Sequence, residues 1–217
     1  MIDNFLTKTK LKQIFEKFFQ TKLEGRITAN MLTLLGLLTG ILSAFFIFLS
    51  IFLSNNIYIL IIATIILIIS FFLDTLDGVV ARNEGSTTFG GVLDLFCDRT
   101  VEIVVIISIL STDKSLLWPG IFTLAAIILC ITLFLAIGSA VNEKNLRENE
   151  KLIYYARGIM ERGETFLFLT ILILFISLRY LFLWIFAILI FLTALQRLIY
   201  AHKLFKQRLH FKNSSKR

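Results

Sequence analysis

The feature that most constrains the fold of this chain is a succession of long apolar runs. A helix needs about 20 apolar residues to cross a bilayer. Six such runs fit into the 217 residues, and they are 28–53, 57–80, 89–111, 116–141, 158–178 and 180–202. The connectors between them are short, which suits antiparallel neighbouring helices. We therefore predict an all-α integral membrane protein with six transmembrane helices.

The composition excludes the main alternatives to a membrane protein. Hydrophobic residues make up 57% of the chain and charged residues 17%, whereas soluble domains have about 45–50% and about 25%. This balance argues against a soluble enzyme, and the high apolar content argues against disorder. The two cysteines, Cys97 and Cys130, lie in apolar stretches and are expected to be reduced, buried thiols.

The positions of the basic residues predict the orientation in the membrane. All of the 22 Lys and Arg residues except Lys114 and Arg179 lie in the N-terminal segment, around the second and fourth connections, or after residue 196. By the positive-inside rule, both termini and these two connections face the cytoplasm. An even number of spans agrees with this cell-membrane topology.

The N-terminal segment has the pattern of an amphipathic helix. Leu11, Ile14, Phe15 and Phe18 recur at helical spacing opposite basic and polar residues, which predicts an in-plane juxtamembrane helix over 1–26. The alternative is a basic flank that only sets topology. We divide the chain into this helix, a six-span catalytic membrane domain over 27–203 and a basic cytoplasmic tail over 204–217.

Four aspartates concentrate in one stretch at the junction of the second and third runs. Asp74 and Asp77 are three residues apart at the end of the second run, and Asp94 and Asp98 are four apart at the start of the third. These spacings put each pair on one helix face. Two antiparallel spans with a short connector would bring the pairs together near the cytoplasmic surface.

Such a group of carboxylates is typical of a site for hard divalent cations. Four carboxylates in a small volume cannot all remain ionised without cations, because like charges repel. Oxygen ligands favour Mg²⁺, Mn²⁺ or Ca²⁺ over zinc, and His202 and His210 lie far away in the chain. The ligand number suits two ions, Mg²⁺ or Mn²⁺, completed by phosphate oxygens.

The residues between the aspartates suit a phosphate ligand. Gly78 and Gly90 allow close approach to the backbone, and Arg82 offers a planar charged fork. Thr87 and its neighbours are candidate N-caps for the third helix. Taken singly, the glycines would be explained by helix packing and Arg82 by topology.

The whole stretch resembles the signature of the CDP-alcohol phosphotransferase family. That signature is D-x-x-D-G-x-x-A-R, a short variable segment, and then G-x-x-x-D-x-x-x-D. The eight fixed positions are all present here, and they are Asp74, Asp77, Gly78, Ala81, Arg82, Gly90, Asp94 and Asp98. The match covers about 25 residues directly, and the predicted six-span layout is similar to the family over most of the chain.

The resemblance implies an enzyme that moves a substituted phosphate from a CDP-linked donor to an alcohol and releases CMP. It implies that Asp74, Asp77 and Asp94 hold metal, and that Asp98 accepts the proton of the acceptor hydroxyl while also touching an ion. The residues that it places along the nucleotide and its phosphates are Gly78, Ala81, Arg82 and Gly90.

Two further segments resemble the family with substitutions. Asn30 and Thr33 are similar to a P-N-x-x-T element near the nucleotide, with Ala29 in place of the proline. Residues 161–165 resemble the E-R-x-E-R segment of members that use inositol phosphate, with Thr165 in place of the second arginine. The residues expected to bind a phosphorylated acceptor are Lys151, Arg157 and Arg162. Alternatively, Arg162 belongs to a structural ion network with its glutamate neighbours.

We therefore expect synthesis of a phospholipid from CDP-diacylglycerol or CDP-archaeol and a small polar alcohol, such as inositol phosphate or glycerol phosphate. Expected partners are the lipid donor, the alcohol and membrane lipids, with no nucleic acid, and the resemblance implies a homodimer. The competing interpretation is a divalent-cation transporter, which predicts charges near the bilayer midplane and internal repeats. An intramembrane prenyltransferase is a further enzyme alternative, although it would not need the glycine and arginine pattern.

Overall fold

The structure, a computed structural model, describes residues 28–53, 56–85, 87–148 and 158–214. These residues form six α-helices and two 3₁₀ turns, Lys114–Leu116 and Ile176–Leu178, with no strand among them. The helices are α1 Ala29–Phe52, α2 Ile57–Glu84, α3 Thr88–Leu110, α4 Leu117–Glu148, α5 Arg162–Leu174 and α6 Arg179–Ser214. The all-α prediction is confirmed for this part of the chain, whereas the predicted in-plane helix over 1–26 lies outside it.

Four of these helical regions are long and apolar enough to cross a membrane. They are Ala29–Phe52, Ile57–Arg82, Lys114–Ala140 and Ile176–Lys206. Helix α3 carries several charged residues and α5 has only 13 residues. The chain is therefore a multi-pass membrane protein, while the count of six spans stays a prediction.

Two helices differ in length from the predicted runs. Helix α5 begins at Arg162 rather than near residue 158, because the amides of Ile159 and Met160 bind side chains of α6 instead of starting a helix. Helix α6 continues to Ser214, past the predicted domain boundary at residue 203. Its last turns contain no Gly or Pro and are rich in Lys, Gln and Leu, which favour helix.

Side-chain caps define the first residues of α1, α2 and α3. The hydroxyl of Thr28 accepts from the amide of Met31 at 3.4 Å, and the side chain of Asn56 accepts from Tyr58 at 3.0 Å. At α3, Thr87 accepts from the amide of Gly90 at 3.0 Å. The predicted cap at the start of the third helix is thereby confirmed.

Helix α1 lies at the centre of the part of the bundle that carries the aspartates. Both α2 and α3 pack along α1 and make little direct contact with each other, so the expectation that they are packed neighbours is wrong. Gly36 faces α2, where Ser70 donates a hydrogen bond to the Gly36 carbonyl at 2.6 Å. Gly40 faces Val101 of α3. Because these positions lack side chains, α2 and α3 can converge on α1 from two sides.

We expect Gly40→Leu to destabilise the bundle. A Cβ at residue 40 would lie 2.5 Å and 2.6 Å from the two γ-carbons of Val101, and overpacking of this kind lowers Tm by about 5 °C in a chain of this size. The matched control is Gly138→Leu, because a Cβ at Gly138 meets no atom within 4 Å. Thermal unfolding in detergent measures both, and an equal Tm for the two variants would contradict this packing.

A buried arginine stabilises the end of the bundle that is remote from the aspartates. Arg179 is 1% exposed, and its guanidinium donates to the carbonyls of Leu172 and Ile173 at 2.7 Å and 2.9 Å and to the hydroxyl of Thr112 at 2.8 Å. The two carbonyls belong to the last turn of α5, where helical partners are missing. Arg179 therefore joins the α3–α4 and α5–α6 connections at the end remote from the aspartates.

Candidate active site

Three of the four predicted aspartates form one cluster. Asp74 of α2 and Asp94 and Asp98 of α3 each offer a carboxylate oxygen, and these oxygens all lie within 4.8 Å of one another. The fourth, Asp77, is buried and accepts a hydrogen bond from the hydroxyl of Thr33 of α1 at 2.6 Å. The structure thus places Asp77 beside the cluster but directs one of its oxygens toward α1.

Helix periodicity and the packing of α1 together produce this cluster. Asp94 and Asp98 are one turn apart on the same face of α3, as predicted. Asp74 reaches them from α2 because Gly36 and Gly40 let both helices approach α1 closely. A Cβ at Gly36 would already lie 3.8 Å from the amide nitrogen of Asp74, so α1 packs directly behind this carboxylate.

Arg162, the first residue of α5, reaches into the cluster. Its Nη2 atom contacts carboxylate oxygens of Asp74 and Asp98 and lies 3.8 Å from Asp94. The guanidinium supplies one positive charge where three carboxylates meet, at a position 64 residues beyond Asp98 in the chain. The aspartates are therefore the prominent ionic partners of Arg162, a pairing that neither sequence interpretation of this residue included.

The cluster has the donor set that a hard divalent cation requires. All the ligand atoms are carboxylate oxygens, and Oδ2 of Asp74 and Oδ1 of Asp94 are shielded from solvent without a hydrogen-bond partner. Buried carboxylate oxygens without a donor are costly unless a cation satisfies them. The three aspartates therefore fit a divalent ion, and Asp77 is close enough in the chain to Asp74 to extend the site.

A cavity of about 320 Å³ lies on the α1 side of the cluster. We name it the nucleotide-side cavity. It is lined by the ends of α1, α2 and α3 around the connection between α2 and α3. The predicted residues that line it are Asn30, Thr33, Asp77, Gly78, Ala81, Gly90 and Asp94. Five of the six residues predicted to bind nucleotide or phosphate therefore share one space.

The sixth, Arg82, lies at the edge of the same region. One of its terminal nitrogens would be 3.8 Å from a Cβ built on Gly78, so the guanidinium folds back over this glycine. At Gly90, a Cβ would come within 2.9 Å of the Thr87 hydroxyl and 3.3 Å of the Asn30 side-chain oxygen. Glycine at both positions keeps the backbone accessible beside polar groups.

A second cavity, of about 290 Å³, lies on the other side of the cluster. We name it the arginine cavity, because Arg99, Arg162 and Arg197 all line it together with Asp94 and Asp98. Arg99 pairs with Glu102 at 2.5 Å, and Arg197 donates to the carbonyl of Cys130 at 3.1 Å. Arg99 and Arg162 thus have carboxylate partners, whereas Arg197 donates to a backbone carbonyl and is the guanidinium best placed to bind an anionic ligand.

Sequence reasoning missed two of these arginines. Arg99 and Arg197 were counted only as basic residues that set the topology. The signal that would have found Arg197 is its place on an apolar helix, within the last two turns before the predicted end of the membrane domain, where a charge needs a partner or a function. Lys151 and Arg157, which were predicted to bind the acceptor, lie outside the described residues.

Comparison with known proteins identifies the family of this chain. The family model of the CDP-alcohol phosphatidyltransferases matches residues 26–195, so the chain belongs to this family. It is accordingly a transferase of phospholipid biosynthesis.

The chain is similar in sequence to one curated relative and in fold to one solved structure. The chain is 33% identical over 199 residues to an archaetidylinositol phosphate synthase from Pyrococcus horikoshii, covering 90% of this chain and 95% of that protein. The fold is similar, with a TM-score of 0.67 and 20% identity, to a crystal structure of Mycobacterium tuberculosis phosphatidylinositol phosphate synthase with CDP-DAG bound. That likeness covers 87% of this chain and 94% of the crystallised one.

Proposed function

We propose that this protein transfers a phosphatidyl-type group from a CDP-activated lipid to the hydroxyl of a phosphorylated small alcohol, with inositol phosphate as the leading acceptor, and releases CMP. The observation that carries the proposal is the position of Asp94, which lines both the nucleotide-side cavity and the arginine cavity. A donor in one cavity and an acceptor in the other would meet at the aspartates. Family membership also favours this transfer over cation transport.

The nucleotide-side cavity is the proposed site of the CDP group. Gly78 and Gly90 let phosphate oxygens approach the backbone. Thr87 is the N-cap of α3 and also lines the cavity, so the positive end of the helix dipole lies close to the proposed phosphates. Arg82 is proposed to contact the diphosphate, and Asn30 and Thr33 the nucleotide. The lipid chains would lie between helices in the membrane. CDP-diacylglycerol and CDP-archaeol share this head group, and the names of the two similar proteins cover both kinds of chain.

In the proposed reaction, the acceptor hydroxyl oxygen attacks the phosphorus that carries the lipid. A new oxygen–phosphorus bond forms, the bond from that phosphorus to the bridging oxygen breaks, and CMP leaves with the electron pair. The hydroxyl proton passes to the carboxylate of Asp98, which lines the arginine cavity beside the acceptor. Asp98 is thus the proposed general base.

Asp74, Asp77, Asp94 and Asp98 are the proposed holders of Mg²⁺ or Mn²⁺, with two ions as the leading number. When bound, the ions would neutralise charge on the diphosphate and on the departing CMP. The residues of the chain then orient the two substrates on either side of the aspartates. Arg162 must leave the cluster, at least in part, when a cation occupies the same three carboxylates.

The arginine cavity is the proposed acceptor site. A phosphate on the acceptor would be bound by Arg162 and Arg197, with Arg99 held nearby by Glu102. Lys151 and Arg157 are proposed to contribute from the segment before α5. We favour a phosphorylated acceptor because Arg197 donates to a backbone carbonyl rather than to a carboxylate. Arg162 would also gain an anionic partner in place of the carboxylates that it yields to a cation. We further propose that the site faces the cytoplasm and that the enzyme is a homodimer.

The first test is CMP release by the full chain in liposomes that contain CDP-diacylglycerol or CDP-archaeol with Mg²⁺. We expect turnover with inositol phosphate, a lipid product whose mass equals donor plus acceptor minus CMP, and loss of turnover on chelation of the metal. Unphosphorylated inositol, serine and glycerol phosphate are the comparison acceptors, each tested at the same concentration as inositol phosphate. Equal turnover with unphosphorylated inositol would contradict the assignment of the arginine cavity, and no CMP release with any pair would contradict the proposed function.

A further inference from the structure

The segment that precedes Arg162 is attached to α6 through its backbone. The amide of Met160 donates to the hydroxyl of Thr193 at 3.0 Å, and the amide of Ile159 donates to the side-chain oxygen of Gln196 at 3.2 Å. These two bonds take the place of helical bonds at the residues just before α5. The position of α6 therefore determines where α5 begins.

Close packing reinforces these hydrogen bonds. Thr193 is fully buried, and its hydroxyl also donates to the carbonyl of Leu189 at 2.8 Å, so the oxygen has a single orientation for accepting from Met160. Gly158 lies against the methyl group of Thr193, where a Cβ would clash. The Met160 side chain is buried in the core of the bundle. Gly158, Met160 and Thr193 therefore form one close contact.

This attachment lies two residues before the charged group that enters the aspartate cluster. The N-cap of α5 is Glu161, and the hydrogen bonds of Ile159 and Met160 to α6 fix the backbone immediately before it. A shift of residues 158–160 along α6 would carry Arg162 away from Asp74 and Asp98. Accurate placement matters, because displacements of about 1 Å at a reacting centre have large effects on rate.

We propose that Thr193 and Gln196 are positioning residues that hold Arg162 at the junction of the aspartate cluster and the arginine cavity. They act through the backbone of Ile159 and Met160 and touch neither substrate. The expected effect of these residues on acceptor binding rests on the proposed function. Their expected effect on cation binding at the aspartate cluster does not, because it follows from the contact of Arg162 with the carboxylates.

The experiment is a double-mutant cycle in which Mn²⁺ affinity is measured. The full chain is kept in detergent without substrate, and the free Mn²⁺ is quantified by electron paramagnetic resonance. Thr193→Val keeps the methyl packing against Gly158 and removes the hydroxyl, so Arg162 is held less firmly against the carboxylates. We expect Mn²⁺ to bind about threefold more tightly in Thr193→Val, and the same substitution to have no effect in an Arg162→Gln background. Thr193→Ser, which restores the hydroxyl, should bind Mn²⁺ like the native chain.

Gln196→Leu provides a second variant at an exposed position, where a substitution is expected to change stability little. It should shift Mn²⁺ affinity in the same direction, again only when Arg162 is present. An unchanged Mn²⁺ affinity in Thr193→Val and Gln196→Leu, or a shift that persists in the Arg162→Gln background, would overturn the proposal.

Kinetics provide a second readout for the same variants. In Thr193→Val we expect the KM for inositol phosphate to rise about tenfold, as for a lost buried hydrogen bond, while the KM for the CDP-lipid stays unchanged. An equal rise of both KM values would indicate a merely structural role and overturn the proposal. Native protein that fails to use any phosphorylated acceptor would contradict the proposed function, while the Mn²⁺ cycle would still decide the positioning of Arg162.

Discussion

Replacing Asp98 by Asn is expected to reduce CMP release by about a thousandfold, within the range for loss of a general base. The amide keeps the size of the side chain but cannot accept the proton of the acceptor hydroxyl, and it also removes one of the three carboxylates of the cluster. The loss should appear in kcat at saturating concentrations of both substrates. Rates of CMP release in liposomes, compared with the native chain, provide the measurement.

The matched control for this substitution is Asp113→Asn. Asp113 is exposed at the start of the 3₁₀ turn Lys114–Leu116, where its carboxylate accepts from the amide of Ser115 at 2.8 Å. Asparagine can accept the same bond, so activity should remain at the native level. If Asp98→Asn retained more than about a tenth of native activity, its assignment as the base would be wrong.

Replacing Arg162 by Gln is expected to have two opposite effects. Binding of Mn²⁺ should become at least about tenfold tighter, because a positive charge in contact with Asp74 and Asp98 no longer competes for their oxygens. The KM for inositol phosphate should rise by about a hundredfold, because the arginine cavity loses a charged hydrogen-bond donor. Titration of Mn²⁺ followed by electron paramagnetic resonance measures the first effect, and the KM for inositol phosphate measures the second.

Arg197→Gln distinguishes these effects, because Arg197 lines the same cavity but donates to the carbonyl of Cys130 rather than to an aspartate. It should raise the acceptor KM and leave Mn²⁺ affinity within about twofold of the native value. A similar tightening of Mn²⁺ binding in both variants would mean that general cavity charge, and not contact with the aspartates, sets the affinity. Unchanged Mn²⁺ affinity in Arg162→Gln would contradict the competition itself.

The sequence predicted those parts of the site that depend on local spacing. Asp94 and Asp98 are one helical turn apart, so their common face follows from the period of the helix alone. Thr87 was identified as a cap because hydroxyl side chains before an apolar run accept from amides of the first turn. Gly36, Gly40 and Ala44 are spaced four residues apart, and such a row of small residues in an apolar helix predicts close helix packing. The contacts of Gly40 with Val101 confirm this prediction.

Other features depended on the approach of distant segments. The sequence indicated that the second and third helices would be packed neighbours, whereas both pack on α1 and converge only where glycines leave room. The partners of Arg162 were also missed, since the aspartates precede it by 64 residues or more. No local pattern encodes a contact over such a separation.

The amino-acid pattern alone predicted an all-helical membrane chain, the group of acidic residues and the kind of ligand that such residues attract. These properties follow from side-chain chemistry and from helical periodicity, both of which act within a few residues. Tertiary structure decided that Asp77 turns toward Thr33, that Asp94 lines two cavities, and that the hydroxyl of Thr193 accepts from the amide of Met160 before α5. Each of these depends on how whole helices pack, because a side chain acquires its partners only when the backbones that carry them have been brought together.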